Sequence, residues 1–298
     1  MTLTRRGFLT LAGATCAASR LSAGAPMAFW RGTALGAAAQ VVLSGITGNQ
    51  ALPLFRAIEA ELSRIEGLFS LFRADSALSR LNREGVLPAP DPEFLALLSL
   101  AREMYHATEG AFDPSVQPLF AVHARAAASG RAAWPHEIAA AQALVGFDLV
   151  EMDERSVRLR RPGMALTLNG IAQGYATDSL ARLLRREGLR DVMVNAGEIR
   201  ATGRLNGQGW PVRLPSGRSL TLTDRAVATS DASGTLISGP LGVGHIFAPD
   251  GGTVLRSGPI SALHDSAAVA DAASTAAVVL PDDRLHLLDR LGVDFLRA

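Results

Sequence analysis

The chain has 298 residues, 48% of them hydrophobic, which is enough for one large domain or two small ones. Its formal net charge is only +1, which argues against a general nucleic-acid-binding protein. The sequence contains no lysine, so no lysine side chain is available to form a Schiff base or to clamp a phosphate.

Residues 1–28 are predicted to be an export signal. Arg5 and Arg6 precede a short apolar run and then a stretch of small residues, a pattern typical of twin-arginine signals. The alternative is a disordered arm that carries the arginine pair by chance. We expect the mature domain, residues 29–298, to be periplasmic and not itself transmembrane. It contains no cysteine, because Cys16 lies in the signal, and this excludes disulfides and cysteine-ligated metals.

Hydrophobic periodicity, glycine and proline predict the elements of the first half. A helix ending near Gly67 is indicated by apolar residues at helical spacing, and Pro92 suits the first turn of another helix. The predicted elements are a turn at residues 31–36, a strand at 38–43, the helix to Gly67, a polar turn-rich segment at 73–85, a helix at 91–107 and an alanine-rich helix within 130–142.

The second half mixes strands and helices without regular alternation. The predicted elements are strands at 157–160 and 165–168, a helix at 175–187, short strands at 210–214 and 226–229, and closing helices at 267–280 and 283–291. This irregular order favours an α+β fold, a single domain of mixed sheets flanked by helices.

The segment 166–203 is the most informative part of the chain. We interpret it as strand, tight loop, helix, strand and second tight loop, which brings the loops 169–174 and 195–197 to the same end of adjacent strands. Small residues in both loops allow a ligand to approach the main chain closely. The sequence therefore predicts a nucleotide-type site here, although its glycine spacing does not fit the Rossmann fingerprint.

Asp271 and Thr275 form a candidate cation site. A spacing of four residues puts both side chains on one face of a helix, among Ala, Ser and Val. Two hard oxygens at this spacing suit Mg²⁺. The alternative is an aspartate on a solvated helix face, with the threonine bonded back to a carbonyl.

Three further motifs are candidates for ligand contact. Asp113 follows a helix end and precedes a proline, although a turn capped by its side chain explains the same motif. His245 lies on a predicted strand beside a glycine-rich loop, where a histidine is also compatible with a structural role. Thr229 and Ser230 end a short strand and could donate hydroxyls to phosphate or cap the next turn.

Eight segments, in this order, resemble the ApbE family, the FAD:protein FMN transferases. They are GTALGA at residues 32–37, FSLFRADSALSRLN at 69–82, TEGAFDPSVQPL at 108–119, NGIAQGYATD at 169–178, VNAGEIRATG at 194–203, ATSDASG at 228–234, HIFAP at 245–249 and ADAAST at 270–275.

The resemblance implies an α+β fold that binds FAD as substrate, with Mg²⁺ bridging the pyrophosphate. FMN would pass to a Thr or Ser hydroxyl of a partner flavoprotein, and AMP would be released. Carried over by motif, Asp271, Thr275 and the Gly170 carbonyl would hold the cation. Asp271 and His245 would be the catalytic residues. The implied FAD contacts are Leu35, Phe72, Ala111, Phe112, Asp113, Gln173, Thr229, Ser230, His245 and Ile246.

The chain departs from the family pattern at four sites. Leu35 stands where the family usually has Met, so only backbone contacts carry over there. Gln173 stands where the family usually has lysine, Glu198 follows Gly197 where a second glycine is usual, and Asp231 replaces a glycine. The NGIAQG motif and the twin-arginine pair resemble the branch linked to nitrous-oxide reductase maturation, whose acceptor is membrane-bound and faces the periplasm. The competing functions are a non-catalytic FAD carrier and an FAD pyrophosphatase.

Overall fold

The computed structural model describes residues 25–237, 243–252, 254 and 258–297. These residues form an α+β fold of mixed sheets and helices, which confirms the predicted class. The predicted export signal lies almost entirely outside the described residues, but Met27 and Ala28 already belong to the first strand. Within the described part of the chain, no helix is both long and apolar enough to cross a bilayer.

The helices vary from eight to 22 residues. They are α1 Gly48–Phe69, α2 Ala77–Glu84, α3 Pro92–Ala107, α4 Gln117–Ala128, α5 Pro135–Gln142, α6 Ala172–Arg186 and α7 Ala267–Val279.

The strands are three to eight residues long. They are β1 Met27–Ala34, β2 Ala37–Ser44, β3 Val86–Pro88, β4 Val150–Met152, β5 Ser156–Leu159, β6 Val192–Asn195, β7 Ile199–Thr202, β8 Trp210–Arg213, β9 Ser219–Leu222, β10 Ala226–Ser230, β11 Ile260–His264 and β12 Asp294–Arg297.

A seven-stranded antiparallel sheet organises the molecule, in the order β1-β2-β6-β7-β10-β11-β12. Helices α1, α6 and α7 pack on one face of this sheet. The β8–β9 hairpin covers the other face, where Trp210 is fully buried. The remaining strands form a small sheet in the order β3-β5-β4.

The strongly periodic elements match their predictions. The strand at 38–43 is β2, the helix to Gly67 is α1 and the helix at 91–107 is α3. Asp91 caps α3 by accepting a hydrogen bond from the Glu93 N–H at 2.7 Å. The strands at 157–160, 210–214 and 226–229, and the helices at 175–187 and 267–280, are also confirmed with small shifts at their ends.

Other segments were predicted wrongly, because single side-chain contacts determine their conformation and hydrophobic periodicity does not. Most of the predicted turn at 31–36 belongs to β1, and the turn-rich 73–85 segment contains α2, which Ser76 caps by accepting from the Ser79 N–H. Helix α4 was not predicted, since its alanines give little amphipathic signal. The helix at 283–291 is two 3₁₀ segments, Asp282–Leu287 and Asp289–Leu291.

The predicted strand at 165–168 is an extended segment without strand pairing. The Asn82 side chain bonds both backbone groups of Leu166, at 2.8 and 2.7 Å, and so takes the place of a neighbouring strand. The Thr167 N–H donates to the Pro114 carbonyl at 2.8 Å. The segment is therefore held straight by other parts of the chain, and it leads directly into the loop before α6.

Helix α7 is buried along nearly its whole length, which its small side chains permit. A Cβ atom at Gly174 of α6 would lie 2.2 Å from the Ala267 carbonyl oxygen. The two helices therefore touch backbone to backbone at this point. The Gly174 N–H also donates to Asp271 Oδ2 at 3.0 Å, so the crossing links α6 directly to a predicted site residue.

We expect Gly174→Ala to lower the free energy of unfolding by roughly 1–3 kcal/mol, because the added methyl group overpacks a backbone contact. Gly67→Ala in α1 is the matched control: its Cβ would meet no atom within 4 Å, so it should be neutral or stabilising by up to about 1 kcal/mol. Urea unfolding of both variants tests this, and equal stability of the two would contradict the close crossing.

Candidate active site

A cavity of about 1060 Å³ opens at one end of the seven-stranded sheet. The β1–β2 turn, the β6–β7 turn, the end of β10 and the start of β11 meet there, together with α4 and α7. The volume is large enough for a dinucleotide. Every residue predicted from the sequence to contact ligand or cation lines this cavity: Leu35, Phe72, Ala111, Phe112, Asp113, Gly170, Gln173, Thr229, Ser230, His245, Ile246, Asp271 and Thr275.

Asp271 and Thr275 meet the loop before α6 at the bottom of this site. A Cβ atom at Gly170 would lie 2.9 Å from Thr275 Oγ1, so the main chain there is in contact with the threonine side chain. The Thr275 hydroxyl is also 3.3 Å from Ser230 Oγ. Asp271 is only 3% exposed, which rules out the alternative of an aspartate on a solvated face.

Glu198 places a second buried carboxylate beside Asp271. Its side chain is 6% exposed, and Glu198 Oε2 accepts from the Thr229 N–H at 3.1 Å. Burial raises the pKa of Asp271 to about 7, against the hydrogen bond from Gly174. Burial, and then repulsion from Asp271, raises the pKa of Glu198 well above its usual range. Two carboxyl groups are thus held close together at a site that is shielded from solvent.

The donors around this carboxyl pair fit a hard divalent cation. Oxygen atoms come from two carboxylates, the Thr275 hydroxyl and the main chain at Gly170, and no ion pair to either acid is formed within the described residues. Among those same residues, no group of three or more His, Cys, Asp and Glu side chains is placed to bind a metal. A cation here would therefore depend on hydroxyl, main-chain and ligand oxygens as well.

The two small-residue loops are adjacent, as the sequence predicted. A Cβ atom at Gly197 would lie 2.6 Å from Cδ of Gln173, and Gly197 has a φ of +109° that disfavours any side chain. The Thr177 hydroxyl donates to the Glu198 carbonyl at 2.9 Å and fastens the second loop to α6. Gln173 thus lies between both loops and the cavity.

His245 lies in a loop and not on a strand as predicted, because the pairing nearby is only an isolated bridge between Leu236 and Gly244. Its Nδ1 is 3.1 Å from the Thr235 carbonyl oxygen. Since a carbonyl only accepts, Nδ1 carries the hydrogen, and Nε2 of the neutral ring keeps a lone pair. Burial lowers the pKa of His245, against opposing effects of Thr235 and Asp231, so the ring is neutral near pH 7.

Phe72 and the β1–β2 turn form another part of the cavity wall. Phe72 is half-exposed, and a Cβ atom at Gly36 would lie 3.2 Å from its ring. Leu35 adopts a positive φ of +49°, and its N–H donates to Glu66 Oε1 at 3.1 Å. The carboxylate of Glu66 therefore holds the turn in the conformation that meets Phe72.

The segment at Ala111–Asp113 is the capped turn that was the alternative interpretation, and it also lines the cavity. Asp113 Oδ1 accepts from the Ser115 N–H at 2.7 Å and from the Ser115 hydroxyl at 2.6 Å. Burial raises the pKa of Asp113. Phe112 is 4% exposed and belongs mainly to the core, so it supports this wall from behind.

The hydroxyls at the end of β10 are already engaged within the protein. Thr229 Oγ1 is 2.8 Å from Ser261 Oγ, across the β10–β11 pair, and Ser230 Oγ is 2.8 Å from Ser274 Oγ. Both residues line the cavity, as the sequence predicted for their position, and their contact with a ligand stays a prediction. The Ser230 hydroxyl also connects the sheet to α7.

Sequence reasoning missed several residues that line the cavity. Glu198 was identified only as a departure from a family motif. Glu66 lies in α1, where the helical spacing of apolar residues does not indicate a role for it. An apolar wall from α4 and the 245–249 segment was not predicted, and it includes Phe120 and Phe247, whose rings meet edge to face at 6.4 Å. These residues come from separate elements that meet only in the folded protein, so no local motif indicates them.

Comparison with known proteins connects this site to one family. The ApbE family model matches residues 35–296. The FAD:protein FMN transferase of Salmonella typhimurium is 29% identical over 217 residues, which cover 70% of this chain and 61% of that protein. The corresponding protein of Vibrio cholerae is 27% identical over 245 residues, or 76% of this chain and 73% of the relative. The chain thus spans about three fifths of the length of the Salmonella protein.

Solved structures show the same fold. The ApbE protein of Thermotoga maritima is 26% identical, with a TM-score of 0.78 over 90% of this chain and 93% of that one. The flavinyl transferase ApbE of Pseudomonas stutzeri, in its apo form, is 24% identical, with a TM-score of 0.77 over 94% of both chains.

The carboxyl pair predicts an unusual pH dependence of stability. The pKa of Asp271 is about 7 in the folded protein against 3.8 without burial, so the folded state retains a proton that the unfolded chain releases between these values. The free energy of unfolding should therefore fall as pH rises from about 4 to about 7, and this contribution should be constant above that. The raised pKa of Glu198 changes the free energy of unfolding in the same direction.

Urea unfolding in EDTA, at about pH 5 and about pH 8, measures this effect. Asp271→Asn should reduce the difference in stability between the two pH values. Asp91→Asn, on the exposed cap of α3, is the control and should leave it unchanged. The same pH dependence in wild type and Asp271→Asn would contradict the raised pKa.

Proposed function

Because the chain belongs to the ApbE family, we propose that it is an FAD:protein FMN transferase. It moves FMN from FAD to a Thr or Ser hydroxyl of a partner flavoprotein and releases AMP. The observation that carries this proposal is the convergence of every predicted site residue, from segments far apart in sequence, on one cavity of dinucleotide size.

The cavity offers a distinct environment for each part of FAD. Phe72 and the Ala111–Asp113 turn, which line the cavity, would border the adenosine, whereas His245 and Ile246 would border the flavin. The pyrophosphate would lie at the loop before α6, where the helix begins at Ala172 and the Gly174 N–H of its first turn bonds Asp271. The positive end of the α6 dipole favours an anion there, which matters because Gln173 supplies no positive charge.

Mg²⁺ is the cation that we propose for the carboxyl pair. Asp271, Thr275 and the Gly170 main chain would hold it, with Glu198 beside them. Bound there, it would neutralise charge on the pyrophosphate. The raised pKa values of both acids support a cation, because a positive charge would remove the cost of ionising two buried carboxyls side by side.

In the proposed reaction, the acceptor hydroxyl oxygen forms a bond to the phosphorus of the FMN half of FAD. The bond from this phosphorus to the bridging oxygen breaks, and AMP leaves with that oxygen. His245 takes the hydroxyl proton at Nε2, since Nδ1 already donates to the Thr235 carbonyl. The lowered pKa keeps the ring in the neutral form that this step requires.

The acceptor is proposed to be a membrane-bound flavoprotein whose flavin domain faces the periplasm. Two sequence features support this: the arginine pair at Arg5 and Arg6, and the NGIAQG motif at residues 169–174. By the same argument the enzyme works in the periplasm, in maturation of a redox system such as nitrous-oxide respiration. Export in a folded state suits a protein that carries no cysteine in its mature part.

The decisive assay mixes the mature protein with FAD, Mg²⁺ and an acceptor domain, then measures AMP release and flavin fluorescence on a denaturing gel. His245→Ala should slow labelling by about 10²–10⁴-fold, because the proton acceptor is lost. Asp271→Ala should abolish it. His136→Ala, on the exposed side of α5, is the matched control and should label at the wild-type rate.

The competing functions give other results in the same assay. A carrier releases no AMP, and an FAD pyrophosphatase releases AMP but leaves every protein band dark. Undiminished labelling by Asp271→Ala would disprove the cation site, and undiminished labelling by His245→Ala would disprove the role of the histidine.

A further inference from the structure

Asp178 is a buried carboxylate of α6 that the mechanism above does not use. The whole residue is 6% exposed, and its carboxylate accepts hydrogen bonds from four donors. Asp178 Oδ1 accepts from the Ala267 N–H at 3.0 Å and from Arg200 Nη1 at 2.8 Å. Oδ2 accepts from the Ser266 hydroxyl at 2.7 Å and from the Ala268 N–H at 3.2 Å. Three of these four partners belong to the beginning of α7, and the fourth is Arg200.

These bonds fix the start of α7. The first N–H groups of a helix have no partner within it, and a negative charge there also interacts favourably with the helix dipole. Ser266 caps α7 from the chain itself by accepting from the Val269 N–H at 3.3 Å. Asp178 adds a cap from a different helix, so the bonds that satisfy the end of α7 also determine its position relative to α6.

A second contact lies one turn away on the same face of α6. Gly174 precedes Asp178 by four residues, and its N–H donates to Asp271 Oδ2 at 3.0 Å. Because the backbones touch at Gly174 and Ala267, α7 cannot tilt around one contact without breaking the other. Two attachments one turn apart therefore define the register of α7 against α6.

Arg200 ties this pair of helices to the sheet. Its guanidinium donates from β7 to Asp178 and also to the Asp265 carbonyl, just before α7. The side chain of Arg200 is 17% exposed and that of Asp178 is 8% exposed, so the ion pair is largely shielded from water. Such a pair is strongly destabilising to break, since one partner alone leaves a buried charge without compensation.

The cation donors are distributed over the elements that Asp178 connects. Asp271 and Thr275 lie on α7, whereas Gly170 lies in the loop that leads into α6. A small shift of α7 along α6 would separate the Thr275 hydroxyl from Gly170, although none of the three donors would itself be changed.

We propose that Asp178 is a positioning residue that sets the cation affinity of the site by fixing the register of α7. It contacts neither FAD nor cation; it acts through Asp271 and Thr275. The inference rests on the proposed function only in requiring that the site binds a divalent cation.

The test measures cation affinity directly, with Mn²⁺ as a spectroscopic replacement for Mg²⁺ and free Mn²⁺ followed by electron paramagnetic resonance. Asp178→Asn should weaken Mn²⁺ binding by about 10–100-fold, the usual effect of removing a group that orients metal ligands. Ser266→Ala removes one donor but leaves the carboxylate, so it should weaken binding less. It also keeps the proposal testable if Asp178→Asn folds poorly.

Asp91→Ala is the matched control, because it removes an aspartate cap from α3, away from the cavity. It should lower the melting temperature and leave Mn²⁺ affinity unchanged. The proposal is overturned if Asp178→Asn lowers the melting temperature but binds Mn²⁺ as the wild type does. It is also overturned if the wild type binds no Mn²⁺. Tight wild-type binding with weakened Asp178→Asn, but no FMN transfer by either, would support the positioning role and contradict the transferase proposal.

Discussion

Two helices meet without side chains between them where Gly174 of α6 faces Ala267 of α7. This contact brings the loop before α6 within reach of Thr275 and lets a main-chain N–H bond Asp271. It also leaves α7 no alternative position, because the sheet packs on its other side. The position of the acid, the hydroxyl and the main chain at the cavity floor all depend on this crossing.

Charge in the cavity follows from the same packing. Small residues allow Asp271 and Glu198 to be buried together, and burial makes their ionisation costly. A chain without lysine, with Gln173 at the loop, does not supply the lysine ammonium group that often binds phosphates. In the proposed transferase, a cation would let both acids ionise and would separate their charge from that of the FAD pyrophosphate. The positive end of α6 then contributes the remaining attraction.

The residues predicted from the sequence to form a site all line one cavity, whereas several elements of the framework were predicted wrongly. Ordered motifs identified Asp271, Thr275, Gly170 and His245, which all line this cavity, because each lies in a short segment with a distinctive composition. Helix α2 and the extended 165–168 segment were predicted wrongly, since Ser76 and Asn82 determine them through single side-chain bonds. Glu198 as a partner of Asp271, and Asp178 as a cap of α7, depend on contacts between distant segments. No local pattern reports such contacts.

Alanine usually tolerates replacement, but in α7 the alanines are the most constrained positions. Ala272, Ala273, Ala276 and Ala277 are fully buried around Asp271 and Thr275. A larger side chain at any of them would push the helix away from the sheet or from α6, and would displace both site residues without changing either. Substitution in α7 is therefore restricted by the buried methyl groups as well as by the polar groups. Inactive variants with an intact set of polar site residues should be common in this helix.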